Sequence, residues 1–97
     1  MIIPEIEKRP NEKFAIGLKY LSPDLGAGAT ILTCIVTISP EEVGGLTKQG
    51  SVDISTDTVS QVVYSGENEK DYNVIFLTTT SEGNIFEDAI YVRVRSI

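Results

Sequence analysis

Tyr72-Asn73-Val74-Ile75-Phe76-Leu77-Thr78-Thr79-Thr80, followed by Ser81-Glu82-Gly83-Asn84 and then Ile85-Phe86-Glu87-Asp88-Ala89-Ile90-Tyr91-Val92-Arg93-Val94-Arg95, is the stretch that decides the fold. In the first run Tyr72, Val74, Phe76 and Thr78 fall on one face. In the last, Phe86, Ile90, Val92 and Val94 do the same. A period of two belongs to a pleated strand, and a short Ser/Gly/Asn connector belongs to a tight reversal. The span 72–95 therefore reads as a long antiparallel hairpin. Asp88 shares the inward face, where a carboxylate needs a partner or serves to discourage edge pairing.

Working outward, the same alternation recurs. Val59 and Val63 oppose Val62 and Tyr64 in a strand over 58–64, and a short strand is expected over 51–55. The run 29–39 is the most apolar, with Leu32, Cys34, Val36 and Ile38 on one face, and is expected at the centre of a sheet. Phe14, Ile16, Leu18 and Tyr20 define a strand over 13–21. Ser39-Pro40-Glu41-Glu42 has the capping pattern of a short helix, ended by Gly44 and Gly45. Val, Ile and Thr make up 30 of 97 residues, and such side chains fit pleated surfaces better than helices. The expected fold is all-β: a single antiparallel Ig-like β-sandwich of six to seven strands with a short N-terminal arm. The arm spans residues 1–9 and the sandwich domain residues 10–97. Tyr72 opens the penultimate strand after a polar loop, the position of the tyrosine corner in such sandwiches. Neither the disulfide nor the tryptophan of antibody domains is present.

Composition narrows the chemistry. The chain has 14 acidic and 8 basic residues, a net charge of −6 and no histidine. Phosphate recognition requires clustered Lys and Arg, so no nucleic-acid partner is expected. Without histidine the commonest general base and the usual Ser-His and Cys-His pairs are missing, so no enzymatic activity is expected. No apolar run approaches the roughly 20 residues of a membrane span. Cys34 is the single cysteine, sits in an apolar run and reads as a core thiol. Met1–Glu7 lacks the basic-then-apolar order of a signal peptide, so folding in a reducing cytosol is expected. Glu67, Glu69 and Asp71 could offer oxygen ligands, but Lys70 lies among them and solvated loop charge is the favoured reading. No cofactor or metal is expected.

Two features suggest a docking surface. Ile2, Ile3 and Ile6 give the arm an apolar character, suited either to tucking onto its own sandwich or to adding a strand to a neighbour. Lys8, Arg9 and Lys13 near the start, with Arg93 and Arg95 near the end, would form one basic patch if the first and last strands are neighbours. The plain alternative is ordinary surface charge on edge strands.

The order of elements resembles the small Ig-like virion proteins of tailed bacteriophages. The resemblance rests on the charged lead Glu7–Lys13, the first strand Phe14–Leu21 and the Gly28–Ile31 entry to a Thr-rich strand. It continues through Thr58–Gly66, the Tyr72–Thr80 strand, the Ser81-Glu82-Gly83 turn and the basic end Val92–Arg95. Tryptophans common in the first strand of that group are absent here, and Lys13–Lys19 replaces a more acidic version. The resemblance implies a capsid decoration or cement subunit, or a head-fibre component, docked on the major capsid protein or other virion subunits and arrayed as copies on the particle. An adhesive or carbohydrate-binding module of a phage tail or bacterial surface is the alternative, with Tyr20, Tyr64 and Tyr91 as stacking platforms.

Overall fold

Strands rich in β-branched residues cannot bury one face alone, so they must pack as layers. In the computed structural model, which describes residues 5–20, 29–41 and 43–96, seven strands do this in two sheets. They are β1 (Glu5–Lys8), β2 (Lys13–Lys19), β3 (Ile31–Ser39), β4 (Leu46–Ile54), β5 (Thr58–Ser65), β6 (Lys70–Thr80) and β7 (Ile85–Val94). One sheet has the order β1-β7-β6-β3 and the other β2-β5-β4. This is an Ig-like sandwich, antiparallel except where β1 runs parallel to β7.

The hairpin occupies the centre of the larger sheet. β6 and β7 pair in unbroken register from Lys70↔Val94 to Thr79↔Ile85. Tyr72, Val74, Phe76, Val92 and Val94 are wholly buried, and Val59 and Val63 meet them from β5. The tyrosine-corner position behaves accordingly: the Glu67 backbone N–H donates to the Tyr72 hydroxyl at 3.2 Å. That bond ties the β5–β6 loop to the start of β6. Gly66 makes the loop possible, since its φ of +110° suits only glycine and a Cβ there would strike the Val94 side chain at 2.9 Å.

Three expectations need correction. β3 is an edge strand, not a central one, because β6 takes the middle of the sheet. An uncharged run does not by itself say whether both sides are paired. A register shift between Ile31 and Thr33 also changes the phase of β3, so Ile31 is buried while Leu32 is 58% exposed. No helix forms among the described residues of 39–45. One helical turn repays its nucleation poorly, and Gly44 takes a φ of +79° that leads directly into β4. Finally, β4 is longer than the strand expected over 51–55. Gly50 and a register shift between Gln49 and Asp53 hide its alternation. The buried Gln61 amide fills that irregularity, donating to the carbonyls of Gln49 at 3.0 Å, Gly50 at 3.2 Å and Val62 at 3.1 Å.

The inward Asp88 has found its partner. Tyr20, buried at the end of β2 and stacked on Phe86 with ring centres 5.8 Å apart, donates its hydroxyl to Asp88 Oδ2 at 3.2 Å. The same hydroxyl lies 2.9 Å from Thr78 Oγ1. Burial, above all, pushes the Tyr20 hydroxyl up from 10.0 to about 12. In the unfolded chain tyrosine ionises near 10, so between these values the folded state holds a proton that the unfolded state has lost. The stability from this group is complete below pH 10 and disappears as the pH rises through about 12. Urea midpoints are therefore expected to fall across that window, and Tyr20→Phe is expected to make the fall shallower. An unchanged slope in the variant would exclude Tyr20 as its source.

Candidate docking surfaces

The parallel pairing of β1 with β7 brings the two chain ends together, with Glu5 opposite Tyr91 and Lys8 opposite Val94. Residues 5–8 of the arm thus add to their own sheet, and Ile6 packs against the core. Ile2 and Ile3 lie outside the described residues. Arg9, Arg93 and Arg95 meet as neighbours, but each has a carboxylate beside it. Arg93 Nη1 bonds Glu5 Oε1 at 3.0 Å, Arg95 Nη2 reaches Asp71 Oδ1 at 2.9 Å, and Arg9 Nη1 lies 3.5 Å from Glu7 Oε2. Asp71 is held below the usual carboxylate range first by the Tyr91 hydroxyl, which donates to it at 2.7 Å, and then by Arg95. The result is a surface of alternating charge rather than a basic patch. Exposed pairs of this kind add little to stability, because water and salt screen them.

Lys8 is placed quite differently from a surface cation. It is wholly buried, and its ammonium donates to the carbonyls of Ser65 at 2.6 Å, Arg9 at 2.8 Å and Pro10 at 3.4 Å. Burial lowers its pKa from 10.5, opposed by the nearby Glu12. Lys8 therefore fastens β1 and the turn after it to the end of β5. Alternation in Glu5–Lys8 hides this, since lysine stands where an apolar residue would ordinarily face inward. Lys13 lies apart from the others, exposed on β2 opposite Tyr64.

Other sequence candidates resolve into structure. Tyr20 is buried, leaving Tyr64 and the Asp71-bound Tyr91 as accessible rings. Cys34 is a buried core thiol whose sulfur accepts from Thr78 Oγ1 at 3.5 Å, and burial raises its pKa. Glu67 pairs with Lys70 at 3.1 Å, and no metal-holding group of acidic or cysteine residues occurs among the described residues.

Two surfaces escaped sequence reading. The outer face of the larger sheet carries an apolar band: Ile35 beside Leu77, and Ile75 beside Ala89, with Ile85 near its end. Ile35 is 62% exposed and Ile85 65%. Along the side where the two sheets' edges face each other, a groove of about 510 Å³ is lined by residues of β3, the following turn and β4. There Lys48 Nζ crosses from β4 to donate to the Val36 carbonyl of β3 at 2.7 Å.

A sandwich with an apolar core that also carries exposed apolar and edge surfaces suits assembly with other chains. The family model described as podophage GP4 fiber-tail adaptor protein gp77 matches residues 8–93. The chain belongs to this family. The match runs from the end of β1 to near the end of β7, so it covers the sandwich and not merely a motif. Membership in the gp77 adaptor family makes the protein a structural component of a tailed-phage virion. No curated protein shows significant sequence similarity to the chain.

Proposed function

We propose that this protein is a non-enzymatic adaptor subunit that joins fibre to tail in a tailed-phage particle, binding other virion subunits through its sheet faces and open edge. The observation that carries this reading is the family match over residues 8–93, whose description is that of a fiber-tail adaptor. The surfaces are consistent with it. An exposed apolar band and an uncharged edge strand are contact features, since isolated domains seldom leave such areas uncovered. Of the residues singled out from the sequence, Lys13 and Arg93 point outward and are the proposed polar contacts, Arg95 is half-buried beside Asp71, and Lys8 serves the interior.

A decoration or cement subunit docked on the major capsid protein is the second reading, favoured by the resemblance to small Ig-like virion proteins. The family description supports the tail over the head. The carbohydrate-binding alternative loses support because Tyr20 is internal. Particles made without this protein are expected to keep filled heads and tails yet lose nearly all fibres, and added purified protein is expected to restore them. Fully fibred particles lacking the protein would contradict the adaptor role.

A further inference from the structure

Among the described residues four strands end the two sheets, and three of them carry features that discourage pairing with another chain. β1 is only four residues long and bears Glu5 and Glu7. β2 bears Lys13 and Lys19. β4 bears Lys48 and Asp53 and is interrupted between Gln49 and Asp53. β3 is different: nine residues, Ile31-Leu-Thr-Cys-Ile-Val-Thr-Ile-Ser39, without one charged side chain, and in regular register from Thr33 to Ser39. It hydrogen-bonds to β6 on one side, so alternate residues turn backbone N–H and C=O groups to the other side, where the Ile31 N–H donates to the Thr56 carbonyl at 3.2 Å and the Val36 carbonyl accepts from Lys48. A long, uncharged and regular edge of this kind is a template for an added strand.

Lys48 indicates what that strand contains. Its ammonium reaches the Val36 carbonyl on this edge, and among the described residues it makes no ion pair. A cation held beside an open backbone edge offers a specific charge to an incoming chain. A second copy of β3 does not answer it, because no residue from Ile31 to Ser39 is acidic. Pairing β3 with itself around Val36 would bring two Lys48 ammoniums together.

We infer that the β3 edge receives an extended segment of another virion subunit as an added strand, with an aspartate or glutamate of that segment bound to Lys48. Ile35 on β3 would pack beside the segment's outward side chains, and the groove reaching Glu41 and Leu46 would take those that turn inward. This inference rests on the adaptor reading and specifies the surface that reading uses.

The test is made on assembled particles. Carbodiimide joins an amine to a carboxylate in contact, and mass spectrometry then identifies what Lys48 has met. The expected product links Lys48 to an acidic residue of a different virion protein. Particles made with Lys48→Glu are expected to carry at least about tenfold fewer copies, and Ile35→Lys, which charges the same edge, is expected to act in the same direction. Lys48→Arg is expected to keep near-normal occupancy. Thermal melting of each isolated variant separates lost docking from lost folding. The inference is overturned by a Lys48 link to a second copy of this chain, by particles that carry the protein with Lys48 unlinked, or by normal occupancy of a folded Lys48→Glu protein. Purified particles lacking even the wild-type protein would remove the adaptor reading itself.

Discussion

Replacing Phe76 by alanine is expected to lower the stability of the domain by about 4 kcal/mol, the range for deleting a buried aromatic ring and leaving its cavity. Phe76 is wholly buried at the middle of β6, with its backbone register fixed on both sides by Val36 and Asp88. The surrounding β-branched residues are stiff and cannot collapse into the space. Domains of this size are stable by only about 5–15 kcal/mol. The melting temperature should therefore fall by more than about 15 °C. Ile35→Ala, one strand away in the same sheet but exposed, is the matched control and should change stability by no more than about 0.5 kcal/mol. Chemical denaturation of the two variants checks both figures, and equal losses would show that the core lies elsewhere.

Replacing Lys8 by alanine is expected to cost about 3 kcal/mol, although lysine is usually a surface residue. The change removes the buried stem and deprives the carbonyls of Arg9, Pro10 and Ser65 of their shared donor. Burial opposes the charge, which is why the pKa lies below 10.5, while the nearby Glu12 favours it. Loss of the ammonium should therefore loosen a particular place: β1, whose one strand partner among the described residues is β7. Amide exchange along Glu5–Lys8 is expected to accelerate at least tenfold while the β6–β7 amides stay protected. A loss below about 1 kcal/mol with β1 exchange unchanged would make Lys8 an incidental passenger.

Much of this fold was legible because alternation reports directly on which face is buried. The hairpin 72–95, the strand carrying Val59 and Val63, and the inward series Phe14, Ile16, Leu18 and Tyr20 all follow from that single period. Alternation says nothing about neighbours within a sheet, however, so β3 read as central and stands at the edge. It also fails where the register slips, as at Leu32 and at Gln49–Asp53. The candidate docking surface was harder to read. Charge spacing brought Arg9, Arg93 and Arg95 together in expectation and in space, but their acidic partners arrive from other strands, Glu5 on β1 and Asp71 on β6. The β3 edge became visible only when strand order was known, because an open edge is a property of topology.

Electron cryomicroscopy of intact particles is the most direct test of the adaptor role. The reading predicts density for this seven-stranded sandwich at the junction of fibre and tail, in contact with at least one other virion protein. Density confined to the head shell, or no density for the protein in the particle, would contradict it.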